Sequence, residues 1–115
     1  MSIVLFTTDL MASSKIAPAA AMAGLTLQTA GSLDALAEAV TIARLVVLDL
    51  NSVTGEVRDL IAGLKSLPNA PSVLAFGPHV HEAKLKAASE AGCDGVFSRG
   101  QFHAQTAEIL KRFAT

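Results

Sequence analysis

The sequence feature that most constrains the fold is the apolar run at residues 44–50, RLVVLDL. A run of Leu and Val without polar alternation is typical of a strand that is buried on both faces of a parallel sheet. The run carries one carboxylate, Asp49, near its end. In an open parallel sheet, ligands and reacting groups collect just beyond the carboxyl ends of the strands, so Asp49 is the first candidate functional residue. The other interpretation is that Asp49 caps the turn that follows, because Asp favours such positions.

The rest of the chain alternates between short β-prone runs and helix-prone stretches. The β-prone runs cover residues 3–7, 25–29, 44–50, 72–76 and 95–98. Strands that alternate with helices favour right-handed crossovers and a parallel sheet. The sequence therefore predicts an α/β fold, a doubly wound five-stranded parallel sheet with helices on both faces and the flavodoxin-like order 2-1-3-4-5. Strands one and three are neighbours in that order, so we expect Asp9 and Asp49 to approach each other.

Capping and breaking residues predict three details of the helices. Residues 10–23 form one helix that is kinked at Pro18, because a proline inside a helix removes a hydrogen bond and clashes with the preceding turn. Thr54 is the expected N-cap of the third helix. A single last helix carries Phe102 and Phe113 on roughly one face.

Composition limits the classes of function. The 115 residues are expected to form one domain over residues 1–115. Nine basic and ten acidic residues give a net charge of −1, which argues against binding to nucleic acid or to a membrane surface. One cysteine, Cys93, excludes an internal disulfide and fits a reducing compartment, so a cytoplasmic location is expected. No apolar run approaches the roughly 18 residues of a membrane span, and the N-terminus lacks the basic start of a signal peptide.

Three segments are similar to those of a known family. Residues 46–50 resemble the phosphoacceptor strand of response-regulator receiver domains, and residues 92–96 resemble the Gly-Ala-Asp-Gly-Tyr segment before their last strand. Residues 71–75 resemble the start of the fourth receiver strand. In this order and spacing, they make nearly the whole chain resemble a receiver domain of the CheY-like superfamily. The resemblance implies a signalling role, with Asp49 at the phosphoacceptor position and Asn51 where a backbone carbonyl reaches Mg²⁺.

The chain departs from the receiver pattern at the end of the first strand. Receivers carry a pair of acidic residues there that hold the metal, whereas this chain has Thr7, Thr8 and Asp9. At most one carboxylate therefore remains for a metal beside Asp49.

The fourth and fifth strands depart from the pattern as well. Phe76 or Gly77 stands where receivers have a hydroxyl residue. Arg99 aligns with the lysine that ends the fifth receiver strand, or Ser98 does if the alignment shifts by one. The chain thus resembles a pseudo-receiver, which implies a signalling or protein-interaction module that is not an enzyme, needs no cofactor and is not phosphorylated by the standard mechanism.

Two other functions remain open at this stage. The first is a divergent receiver that is phosphorylated on Asp49, with Asp9 and Asp49 holding Mg²⁺ and Arg99 in the role of the lysine. The second is a small-ligand or metal-binding flavodoxin-like domain that uses Asp9, Asp49 and His79, with His81 as a further imidazole. The pocket expected around the phosphoacceptor position is lined by Asp9, Asn51, Gly77, His79 and Arg99.

The last strand and helix are the expected partner surface. Phe97 and Phe102 flank Arg99 there, and receivers commonly dimerise or dock partners through that face. The resemblance thus implies a protein partner or a homodimer. The other interpretation is that both rings belong to the core.

Overall fold

The central strand is the buried run itself. The computed structural model describes residues 2–114, and in it β1 (Ser2–Phe6) and β4 (Ser72–Gly77) pair on either side of β3 (Leu45–Asp49). All five residues of β3 are fully buried. Its side chains alternate between two hydrophobic clusters on opposite faces of the sheet, with Leu48 in one and Val47 in the other. A strand covered on both faces needs apolar residues at every position, which explains the continuous Leu and Val run.

The strand order confirms the predicted fold class. β2 (Thr26–Ala30) and β5 (Gly95–Ser98) form the two edges of a sheet with the order β2-β1-β3-β4-β5, and every pair is parallel. Each strand ends within one residue of its predicted end. Among residues 2–114, no helix is long and apolar enough to cross a membrane.

Helices cover both faces of the sheet, as predicted. The helices are α1 (Leu10–Met22), α2 (Leu33–Ala39), α3 (Val57–Lys65), α4 (Glu82–Glu90), α5 (Arg99–Ala104) and α6 (Thr106–Phe113), with short 3-10 turns at Val40–Ile42 and Leu50–Ser52. Apolar residues of α2, α3 and α4 pack on one face, and those of α1, α5 and α6 pack on the other. α1 is one helix that contains Pro18, as expected.

Two predictions about the helices are wrong. Thr54 does not cap α3, because the chain first makes the turn Leu50–Ser52 and then stays extended, so that the helix begins at Val57. The last helix is two helices, because Gln105 leaves the helical conformation with φ −131° and ψ 28°. No glycine or proline marks this break. The apolar spacing on both sides of the break fits one continuous helix, so the sequence gives no signal for it.

Asp94 connects the loop before β5 to the start of β4 through hydrogen bonds. Its Oδ2 accepts hydrogen bonds from the Lys65 ammonium and from the Val73 N–H at 2.8 Å, and its own N–H donates to the Val73 carbonyl at 2.8 Å. Partial burial by itself raises the pKa of Asp94, but the Lys65 and Val73 hydrogen bonds outweigh it and lower the pKa below its ordinary value. The hydrogen bonds from Lys65 and Val73 require the ionised form of the Asp94 carboxylate.

We expect Asp94→Asn to reduce the acid sensitivity of folding. Because the pKa of Asp94 is lower in the folded than in the unfolded chain, its contribution is present above about pH 4 and is lost as the pH falls through the folded pKa. The difference in free energy of unfolding between the two proteins should therefore shrink on acidification. Urea unfolding from neutral to acid pH measures it, with exposed Glu38→Gln as the matched control. A difference that does not change with pH would contradict the assignment.

Candidate functional site

Asp49 lies at the carboxyl end of β3 with its side chain completely buried. Its Oδ2 accepts hydrogen bonds from the Thr7 hydroxyl at 2.7 Å and from the Ser52 hydroxyl at 3.1 Å. Its Oδ1 accepts one from the Asn51 N–H at 3.1 Å. A buried carboxylate is tolerated only where such donors replace the water it has lost. Three donors of the chain itself thus surround this group.

Local structure explains why these donors meet. Phe6 pairs with Leu48 in the sheet, so Thr7, the next residue after β1, arrives beside Asp49. The 3-10 turn that follows β3 folds back and brings Asn51 and Ser52 to the carboxylate, which acts as the N-cap of that turn. The interpretation of Asp49 as a turn cap is therefore confirmed, and the cap also joins β1 to β3.

A second layer of hydrogen bonds fixes the two hydroxyls. The Thr7 oxygen accepts from the Asp9 N–H at 3.0 Å, and the Ser52 oxygen accepts from the Thr8 N–H at 3.0 Å and from the Thr8 hydroxyl at 3.1 Å. Because their oxygens receive these protons, both hydroxyls direct their own protons at Asp49. We call Asp49, Thr7, Thr8, Asn51 and Ser52 the Asp49 network.

Arg99 supplies the positive charge nearest to Asp49 among the residues 2–114. Its Nη2 lies 3.9 Å from Oδ1, and its side chain is 38% exposed. A charge-assisted hydrogen bond would be about 2.7–2.9 Å long, so this is an ion pair without a direct bond. Arg99 follows β5 directly and begins α5, which places it at the same edge of the sheet as Asp49. The structure thus brings Arg99 to the predicted pocket.

Asp9 does not join its carboxylate to that of Asp49. The Asp9 Oδ1 accepts a hydrogen bond from the Met11 N–H at 2.9 Å and caps α1. Its own N–H donates to the Thr7 hydroxyl and so reaches the Asp49 network. The Asp9 carboxylate thus satisfies the end of a helix, and the expected approach of the Asp9 and Asp49 carboxylates stays a prediction.

The similarity of this chain to known proteins lies in its fold. No protein-family model and no curated protein matches the sequence. A response-regulator receiver domain from Bermanella marisrubri superposes with a TM-score of 0.84 at 19% identity, over 99% of this chain and 98% of that one. An orphan response regulator of H. pylori gives 0.79 at 17% identity, over 98% and 96%. The beryllofluoride-activated NtrC4 receiver domain dimer gives 0.81 at 15% identity, over 98% and 94%.

The chain has the receiver fold. The predicted resemblance is therefore confirmed at the level of the fold. At the carboxyl end of β3 in this fold, the Asp49 carboxylate is enclosed by hydroxyl and amide donors.

The residues around Asp49 do not fit the magnesium ion that the receiver fold implies. Mg²⁺ takes oxygen ligands and is usually held by one or two carboxylates together with phosphate oxygens. Among the described residues, the groups that hydrogen-bond to Asp49 are hydroxyl and amide donors, and both oxygens of the carboxylate already accept protons from them. Within residues 2–114, no three His, Cys, Asp or Glu side chains lie together as a metal site would require.

Gly77 and the two histidines take no part in the Asp49 network. Gly77 is buried, and a Cβ built on it would lie 3.3 Å from the Leu50 Cβ, so the glycine lets Leu50 pack beside β4. His79 and His81 are exposed in the loop between β4 and α4. The structure places Asn51 and Arg99 beside Asp49, and the assignment of Asp9, Gly77 and His79 to the same pocket stays a prediction.

Lys84 is a site residue that sequence reasoning missed. Its Nζ donates to the Leu50 carbonyl at 3.1 Å and to the Val53 carbonyl at 3.2 Å, on either side of the turn that carries Asn51 and Ser52. A lysine on a helix is ordinarily solvated, and only the three-dimensional position of α4 shows that it closes this turn. It supports the Asp49 network from a second element.

Phe102 is not part of an exposed surface. The ring is fully buried and stacks on Phe76 with centroids 4.7 Å apart and an interplanar angle of 9°. Phe97 is half-buried, with its centroid 6.1 Å from that of Phe102. The prediction that Phe102 anchors a partner is wrong, because the ring fills the core beneath α5. Phe97 stays a candidate at the edge of the sheet.

Proposed function

We propose that this chain is a receiver-like signalling and protein-interaction module in which Asp49 is a structural anchor and not a phosphoacceptor. The observation that carries the proposal is the complete burial of Asp49 with hydrogen bonds to both of its oxygens. The proposed output is contact with another protein, and the proposed role is not enzymatic and needs no cofactor.

Attack on a phosphodonor would require a free carboxylate oxygen. Phosphoryl transfer depends on positioning the nucleophile in line with the leaving group and on stabilising the charge that spreads over the phosphoryl oxygens. For attack through Oδ2, Asp49 would have to lose the Thr7 and Ser52 hydroxyl donors, and for attack through Oδ1 it would have to lose the Asn51 N–H. Each lost hydrogen bond to a charged group costs about 1.5–3 kcal/mol. This cost would add to the barrier.

Charge stabilisation is also weak at this position. Arg99 is the one cation that approaches Asp49 among the described residues, and it is 3.9 Å away. Phe76 and Gly77 end β4 without a hydroxyl that could donate to a phosphoryl group. In the alternative of a divergent receiver that uses Asp9, Asp49 and Mg²⁺, Asp9 would have to serve the metal while its Oδ1 accepts the Met11 N–H at the start of α1.

Partner contact and location are proposed from general features. One structural relative is an orphan response regulator and another is a receiver dimer, so we propose a protein partner or self-association for this chain also. Burial raises the pKa of the Cys93 thiol to about 11, which keeps it protonated. An unreactive single thiol and a net charge of −1 fit a protein of the cytoplasm that binds neither nucleic acid nor membrane.

We expect no phosphorylation when the protein is incubated with a small-molecule phosphodonor and Mg²⁺. Intact mass spectrometry measures it, with Asp49→Asn as the matched variant and an active receiver domain as the positive control. The wild-type mass should stay unchanged while the positive control gains one phosphoryl group. A phosphoryl adduct that is absent from Asp49→Asn would contradict the proposal and favour the divergent receiver.

A further inference from the structure

An open apolar groove runs between α2 and α3, and none of its lining residues belongs to the last strand and helix, where the receiver resemblance places a partner surface. It measures about 300 Å³. Its walls come from α2, from the 3-10 turn after α2, from α3 and from the segment after α3, and they include Leu33, Ala37, Val40, Leu60, Gly63 and Leu67. We call this surface the α2–α3 groove.

The α2–α3 groove continues beyond both helix ends. Towards the Asp49 network, it opens into a hollow that shares Leu33 and Leu60 and is also lined by Val53. At its opposite end, the groove opens into a second hollow, and Val40 and Leu67 line both. Leu33 is 54% exposed and Leu67 is 38% exposed. A continuous exposed apolar surface of this kind marks an interaction site more often than scattered single residues do.

Gly63 leaves one wall of the groove open. It lies within α3, where glycine costs about 1 kcal/mol relative to alanine. A Cβ built on it would meet no atom within 4 Å, so nothing inside the chain requires a glycine. Its absent side chain leaves room for close approach from outside the chain.

The charges around the groove are acidic. The charged residues that line the groove and its two continuations are Glu56 and Asp59. The two cations of α3 are engaged elsewhere, since Arg58 pairs with Glu90 at 2.8 Å and Lys65 pairs with Asp94. α2 itself contains no Lys or Arg. An occupant should therefore combine apolar side chains with basic ones, because complementary charge steers and orients a partner.

We infer that the α2–α3 groove is a docking site for an amphipathic α-helix of a partner protein, with apolar residues on one face and basic residues beside them. This inference rests on the proposed function as an interaction module and adds the surface and the chemistry of the partner to it. A helix that lies in a groove inserts residues at i, i+3, i+4 and i+7. Within this chain α6 has two basic residues in its last turn, but its Ile109 and Leu110 are buried in the core. The α6 helix of a second copy is therefore a poorer occupant than a helix of another protein.

The test uses a synthetic amphipathic peptide with Leu at helical i, i+3, i+4 and i+7 spacing and Lys at the other positions, labelled for fluorescence anisotropy. Gly63→Leu should fill the groove and weaken binding at least about tenfold. Ala62→Leu is the matched control, because Ala62 is exposed on the same helix but does not line the groove, and it should leave the affinity within about twofold. Asp59→Lys should weaken binding of the Lys peptide and improve binding of a peptide with Glu in place of Lys.

Three outcomes would overturn the inference. They are no saturable binding of the Lys peptide, equal binding to wild type and Gly63→Leu, and amide NMR shifts that avoid α2 and α3. Self-association in light scattering that Gly63→Leu abolishes would assign the groove to a second copy instead. Gly63→Leu should stay folded, because leucine favours helix more than glycine does. Measurements of its unfolding test this expectation. The phosphodonor experiment does not involve the groove, so failure of the docking site and failure of the non-phosphorylated role are distinguishable.

Discussion

Asp49→Ala is expected to lower the free energy of unfolding by about 3 kcal/mol, because it removes the acceptor that three buried or half-buried donors share. The Asn51 N–H and the Thr7 and Ser52 hydroxyls would lose the carboxylate as their acceptor, and the two hydroxyls would have only each other, 3.4 Å apart, in its place. The partly exposed Arg99 can turn to water, so its loss of an ion pair adds little. Chemical denaturation at neutral pH measures the change.

Asp49→Asn separates the roles of shape and charge. Asparagine keeps the size of the side chain and one acceptor oxygen, so we expect a smaller loss, on the order of 1 kcal/mol. A phosphoacceptor crowded by other carboxylates would behave in the opposite way, because neutralising it relieves repulsion between like charges. If both variants are as stable as the wild type or more stable, Asp49 is not the anchor that the hydrogen bonds indicate.

Phe102→Ala is expected to cost about 3–5 kcal/mol, which is the usual range for removing a buried aromatic ring from a core. The ring has no exposed surface and stacks on Phe76. Phe97→Ala is the matched control on the same side of the sheet, and it should cost less because Phe97 is only half-buried. Urea denaturation of both variants tests this.

The Phe102 result also decides between core and surface. A loss under about 1 kcal/mol would mean that the ring lies at the surface and would restore it as a partner contact. A large loss means that any failure of Phe102→Ala to bind a partner reports unfolding and not a contact.

The fold was predictable because its signals are local and periodic. An unbroken apolar run is compatible with a central parallel strand and with few other structures, which fixed β3 within one residue at each end. Alternation of strands and helices then left the order 2-1-3-4-5 as the natural solution. The break at Gln105 carried no such signal, because tertiary packing of α5 and α6 decides it.

The candidate site was predictable only in part. Asp49 was found because reacting groups collect at the carboxyl ends of parallel strands, and Arg99 was found because it aligns with the lysine that ends the fifth receiver strand. Thr7 was noted because it stands where receivers carry an acidic residue. Its hydrogen bond to Asp49 depends on the register in which β1 pairs with β3, and this register cannot be read from the sequence. The role of Lys84 depends on where α4 packs, and the role of Asp9 depends on how α1 begins. Such contacts between distant elements leave no periodic pattern.

The most direct test of the central claim is an amide NMR titration with beryllofluoride, which mimics a phosphoryl group on aspartate, in the presence of Mg²⁺. The claim that Asp49 is an internal anchor predicts that the amide signals of Thr8, Asn51 and Gly77 do not move beyond those of Asp49→Asn under the same conditions. Saturable shifts of these three amides in the wild type alone would show that the carboxylate opens to a phosphoryl-like ligand, and would contradict the claim.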